Sequence, residues 1–96
     1  MVKNKQIFSN DLLVCLEIYH FNQKNEKIWF SKLVEMMHRS LTQSTISKSL
    51  DKLFDRGMID GNWENVDGYW TRTLKVTDEF TGFIKGLYNT TKDLDQ

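Results

Sequence analysis

The stretch "RSLTQSTISKSLDKLFDRGMI", Arg39 to Ile59, decides how the rest of the chain is read. Thr42 is a residue type that caps helix N-termini. Ile46, Leu50, Leu53 and Phe54 follow the i, i+4, i+7, i+8 pattern of one helical face, and Gly57 is placed as the left-handed residue just past the helix end. At about 100° per residue, that stripe faces inward and leaves Ser44, Thr45, Lys48, Asp51, Lys52 and Asp55 outward. The first two turns of the outward side are small, hydroxyl-bearing or basic, and the acids come later. This third helix is therefore the one whose exposed face is suited to touch something.

Upstream, "HRSLT" supplies a tight turn with Leu41 as the apolar residue that pins it to the core. Before it, Ser31 is the expected cap of a second helix, "KLVEMMHR", with Leu33, Val34, Met36 and Met37 apolar. "KIWF" is rich in strand formers and reads as a short strand. Ser9 or Asn10 caps a first helix, from about Asn10 to Phe21, in which Leu12, Leu13, Cys15, Leu16 and Tyr19 recur at helical spacing before the polar run "NQKNEK" ends it.

Downstream, "MIDGNWE" and "YWTRTLKVT" flank "NVDG", and Asp-Gly is a strong hairpin signal. With Asp67 and Gly68 at the centre of the turn, Trp63 lies opposite Arg72, Gly61 opposite Leu74 and Ile59 opposite Val76, and all six share one face. Thr77 or Asp78 then caps a last helix over about 78–91, with Phe80, Phe83, Ile84 and Leu87 on one stripe and a fraying polar tail. Gly82 and Gly86 weaken that helix by about 1 kcal/mol each relative to Ala.

Composition bounds the rest. Ninety-six residues, 40% apolar, support one small core, so residues 1–96 read as a single domain. No stretch approaches the roughly 18 apolar residues of a membrane helix, and "MVKNKQIFSND" lacks the apolar run of a signal peptide, so the expected location is cytoplasmic. The one cysteine, Cys15, sits in "LLVCLEIY" and reads as a small buried hydrophobe. Thirteen basic and thirteen acidic residues cancel, which argues against a non-specific polyanion binder. The halves differ, however: residues 1–56 hold nine Lys/Arg against six Asp/Glu, and residues 57–96 four against seven, giving +3 and −3. The positive half contains the third helix.

Helix, short strand, helix, tight turn, helix, hairpin, helix is an α+β, mostly helical order. It gives a winged helix-turn-helix with four helices, a short strand and a β-hairpin wing: helix-turn-helix about 31–57, wing about 58–77. "TQSTISKSLDKLFDRGMI" resembles the recognition helix and following strand of the MarR group of winged-helix transcription regulators, and "LKVTDE" is similar to the segment where their wing returns to the core. The resemblance covers roughly Phe30 to Glu79. In that family the wing carries an Asp-x-Arg pattern whose Arg reaches the minor groove. Here Asp67 is followed by "GYWTR", so Arg72 is displaced from that position. PadR-like regulators, similar in having aromatic residues near "YW", compete closely with this reading.

The resemblance implies a sequence-specific transcription regulator of double-stranded DNA, with the third helix in the major groove and the wing on the backbone or minor groove. Gln43, Ser44, Thr45, Ser47 and Lys48 are the candidate major-groove readers, and Arg39 and Lys52 the candidate phosphate contacts. Ser40 and Thr42 add backbone contacts at the helix N-terminus, and Arg72, with Lys75, reaches phosphates from the wing. The alternative use of Arg72 is a cation-π stack on Trp63, and packing against the domain is the expected fate of at least one wing tryptophan. Glu64 and Asp67, at the wing tip, oppose DNA binding.

The outward face of the third helix also reads, more plainly, as a solvated surface. A winged-helix protein-protein interaction module without DNA binding would keep the same core pattern. His20 and His38 have no ligand-spaced partners, so no metal site or cofactor is expected, and no catalytic constellation stands out, so no enzyme is expected. Phe8, Tyr19, Phe83, Leu87 and Tyr88 are surplus apolar surface for a homodimer, which would place two recognition helices about 34 Å apart, or else they close a monomeric core. A small-molecule effector would need a pocket between the first helix and the last.

Overall fold

The computed structural model describes residues 9–94, arranged as α1 (Asn10–Gln23), α2 (Phe30–Met37), α3 (Gln43–Asp55), β1 (Ile59–Val66), β2 (Tyr69–Val76) and α4 (Asp78–Leu94). The four helices and the hairpin come in the order the periodicities predict. α1 starts as expected, with Ser9 Oγ accepting from the Leu12 N–H, and it runs two residues past Phe21.

Two local expectations are corrected. Ser31 does not cap α2: the helix begins at Phe30 with Trp29 in extended geometry at the cap position and no side-chain capping bond, which leaves Ser31 inside the first turn. "KIWF" does not form a strand of its own. Ile28 accepts from the Leu74 N–H at 2.8 Å and Trp29 makes one antiparallel bridge to Thr73, after which the chain turns into α2. The neighbouring positions on the edge of β2 are taken by a side chain. Asn22 Nδ2 donates to the Leu74 carbonyl at 3.2 Å, and Asn22 Oδ1 accepts from the Val76 N–H at 2.9 Å.

The core lies where α1, α3, the base of the hairpin and α4 meet. Ile46, Leu50 and Leu53 of α3 are buried with Val14, Cys15, Ile18, Phe21, Leu33, Ile59, Leu74, Val76 and Ile84. Each such aliphatic side chain contributes about 1.5–3 kcal/mol by leaving water. α1 buries six residues, including Tyr19, because it packs on α3, α4 and β2 at once. Tyr19 is therefore core, the second of the two uses its position allows, rather than partner surface. Phe8 lies outside the described residues.

The hairpin keeps the predicted register, Ile59 opposite Val76 through Val66 opposite Tyr69. Asp67 and Gly68 both have positive φ, 54° and 89°, as the tight two-residue turn requires, and Asn65 Oδ1 accepts from the Gly68 N–H at 2.9 Å. At the other end of the wing, Thr77 Oγ1 donates to the Gly57 carbonyl at 2.9 Å, tying the start of α4 to the end of α3.

Candidate nucleic-acid interface

The helix-turn-helix is held by local bonds. The Ser40 and Leu41 N–H groups both donate to the Met37 carbonyl, closing α2, and half-buried Leu41 packs against the core. Thr42 Oγ1 accepts from the Thr45 N–H at 3.2 Å and donates to Thr45 Oγ1 at 3.0 Å, opening α3. The Thr42 hydroxyl is thus committed to the cap, while Gln43 and Ser44 after it remain exposed. At the far end Gly57, with φ +70°, terminates the helix as its position predicts.

With Ile46, Leu50 and Leu53 inward, α3 presents Gln43, Ser44, Ser47, Lys48, Asp51, Lys52 and Asp55 to solvent, and Thr45 is half-buried. Buried Ser49 joins the inward side, a position that a stripe of apolar residues alone does not mark. Arg39 and Ser40 are exposed in the turn. Among the described residues, none of Arg39, Lys48 and Lys52 has an ion-pair partner.

The candidate residues divide between the flanks of α3. Thr45, Lys48 and Lys52 border a shallow groove with Ser9, Asn10 and Asp11 at the start of α1. Ser47 borders a second groove with Phe30, Asp51, Phe54 and Arg72, so the wing arginine does reach α3. Ser40 lies apart from both, in a concavity of about 340 Å³ lined also by Leu13, Leu16, Glu17, His20, Met37 and Tyr88. There His20 Nδ1 and the Tyr88 hydroxyl are 2.8 Å apart.

Arg72 does not stack on Trp63. Its guanidinium carbon lies 4.2 Å from the centroid of the Phe54 ring, on α3. Gly61 makes this path available, because a Cβ there would meet Arg72 Cγ and Cδ at 2.8 Å and collide with Nε. Neither Gly61 nor Phe54 stands out as a site residue in the sequence. The usable signal is a glycine one strand pair away from an arginine on the same face of a hairpin.

Neither wing tryptophan packs against the domain. Trp63 is 66% exposed and Trp70 69%, with Tyr69 at 77%. Glu64 is removed from the α3 side: its Oε1 pairs with Lys27 Nζ at 2.6 Å and its Oε2 accepts from Thr73 Oγ1. The bonds from Lys27 and then Thr73 hold the Glu64 carboxyl below the usual carboxylate range. Asp67 remains at the exposed turn.

No protein-family model matches the chain, and no curated protein does. Solved structures do. SSV1 F-93 is similar with a TM-score of 0.74 at 19% identity, covering 98% of each chain. AF1382 from Archaeoglobus fulgidus is similar with a TM-score of 0.74 at 13% identity, covering 96% of each. A PadR-like transcriptional regulator from Bacillus cereus has a TM-score of 0.60 at 16% identity, covering 86% of each. At these identities the likeness is one of fold, and the fold is the winged helix. Among the described residues no helix is long and apolar enough to cross a membrane.

Proposed function

We propose that the protein is a double-stranded-DNA-binding transcription regulator that places α3 in the major groove. The observation that carries this reading is the exposed N-terminal half of α3. Gln43, Ser44, Ser47 and Lys48 stand together in solvent beyond a capped, core-anchored start, where base edges are reached in this class of fold. Arg39 and Lys52 flank them as phosphate contacts, with Ser40 and the Thr42 backbone nearby, and Arg72 approaches from the wing. The PadR-like neighbour supports a regulator role, and the fold suits a PadR-like and a MarR-like assignment equally.

Two finer features belong to the same reading. α4 exposes Phe83, at 56%, beside Phe80, and a homodimer formed through this helix would pair two recognition helices across a two-fold operator. The concavity between α1 and α4 is the place for a small-molecule effector, since Ser40 connects it to the turn before α3.

The test is fluorescence anisotropy of a labelled mixed-sequence duplex at two salt concentrations, for the wild type and for Lys48→Ala. Binding should weaken steeply with salt through counterion release, and Lys48→Ala should lower affinity and reduce the salt slope by about one. Thermal unfolding of Lys48→Ala should match the wild type, because the side chain is exposed. Absence of binding by the folded wild type at low salt would refute the reading and favour a protein-interaction module.

A further inference from the structure

The wing carries two tryptophans that the fold does not use. Each presents a large apolar surface, about 150–250 Å² for a whole aromatic side chain, and leaving it in water forgoes the stabilisation its burial would bring. Strand alternation puts Trp63 and Trp70 on the face that also carries Ile59, Gly61, Leu74 and Val76, whose apolar members enter the core. The tryptophans continue that face outward, past the edge of the helices.

Charge is segregated between the two faces. Asp60, Glu64 and Lys75 fall on the opposite face, and Glu64 is further engaged by Lys27. On the tryptophan face of the strands, Arg72 is the sole charged residue, and its cation-π contact with Phe54 joins that face to the exposed surface of α3. An occupant of this surface therefore meets flat apolar groups and one positive charge, which shares its groove with Ser47 and Asp51 of α3. A nucleic acid combines apolar sugar and base edges with a negative backbone.

We propose, resting on the DNA-binding reading above, that Trp63 and Trp70 are the wing's principal DNA contact, laying their indole faces on sugar and base edges while Arg72 supplies one phosphate contact. The wing then binds mainly through apolar contact, and α3 through charge. The two contributions separate by their salt dependence, because only neutralised phosphates release counterions.

The experiment measures anisotropy of the labelled duplex at several salt concentrations with the full chain and with Trp63→Ala and Trp70→Ala. Each variant should lose about tenfold in affinity, as for removal of an aromatic contact to a nucleotide, with the salt slope unchanged. In a Trp29→Phe background the wing holds the remaining tryptophans, and their emission should change with the same saturation point as the anisotropy. Duplex binding that depends on Lys48 but is untouched by either tryptophan substitution would overturn this inference and leave the DNA-binding reading standing. Failure of the folded wild type to bind duplex would overturn both. Unaltered DNA affinity with loss of self-association in sedimentation would assign the face to a second copy of the chain instead.

Discussion

Replacing Gly61 and Arg72 by alanine, singly and together, examines how the wing arginine is aimed. The backbone at Gly61 has no positive φ, so an alanine fits the chain, and it should gain about 0.4–1 kcal/mol by restricting the unfolded state. In the wild-type background the added Cβ lies across Arg72 at Cγ, Cδ and Nε. Arg72 must leave the Phe54 ring, and an exposed cation-π contact is worth about 0.5–1 kcal/mol. The two effects nearly cancel, so Gly61→Ala alone should change stability by less than about 0.5 kcal/mol. With Arg72 already alanine, only the gain remains. The cycle should therefore show a coupling of about 0.5–1 kcal/mol, read by urea unfolding of the four proteins. Duplex affinity should fall in Gly61→Ala although Arg72 is still present, because the guanidinium has been redirected. Additivity within about 0.3 kcal/mol, together with unchanged affinity, would refute the placement of Arg72 over Gly61.

Asn22→Ala removes both bonds to the edge of β2 and should cost about 2 kcal/mol, a fall in Tm of roughly 10 °C; a change under about 2 °C would mean that the edge is satisfied without it. Glu64 has a folded pKa below its ordinary 4.5, so its contribution is present above that value and is lost as pH falls through the folded one. The Tm advantage of the wild type over Glu64→Gln should accordingly shrink between pH 6 and pH 3, and a gap constant over that range would contradict the Lys27 pairing. Burial pushes the Cys15 thiol up to about 12, so a thiol reagent at pH 8 should react only as fast as the chain opens; rapid labelling of the native protein would show that Cys15 is not enclosed.

The parts of the fold that are legible in the sequence are those set by short-range rules. Thr42, the Ile46 to Leu53 spacing and Gly57 specify α3 without reference to anything distant, and Asp67-Gly68 fixes the hairpin register because both turn residues must take positive φ. Three departures from expectation depend on neighbours distant in sequence. Strand propensity in "KIWF" is correct locally, but the β2 groups beside the bridge are met by Asn22, fifty-two and fifty-four residues away in sequence from its two partners. Tyr19 stays open in the sequence between partner surface and core because one stripe suffices for a helix with one neighbour, whereas α1 has three. Arg72 takes the expected register, opposite Trp63, yet the side-chain path across Gly61 to Phe54 depends on how closely the wing approaches α3. Register can be counted from a turn, and that approach cannot.

A chain with no net charge can still offer a basic surface to a polyanion, because its acids and bases are not distributed alike. Asp11 lies 3.8 Å from Arg56, Glu26 3.9 Å from Lys24, and Glu64 2.6 Å from Lys27, so three acids face cations of their own, Glu26 and Glu64 away from α3 and Asp11 within the groove beside Lys48 and Lys52. Exposed pairs of this kind add little stability, about 0–1 kcal/mol each, and their larger effect is on where the field is cancelled. Arg39, Lys48 and Lys52 are left without such partners among the described residues, and Asp51 and Asp55 stand in the C-terminal half of α3, away from its cap. At physiological salt, charges are screened beyond about 8 Å, so a phosphate at the N-terminal half of α3 responds to that local set rather than to the whole-chain sum. Moving the acids forward tests this directly. Ser44→Asp would add a carboxylate to the first turn of the helix, where the dipole favours an anion and stability should hold or rise by about 0.3–1 kcal/mol. Duplex affinity should nevertheless fall, and the salt slope with it. Affinity unaffected by Ser44→Asp in a fully folded variant would mean that the N-terminal half of α3 does not face the DNA.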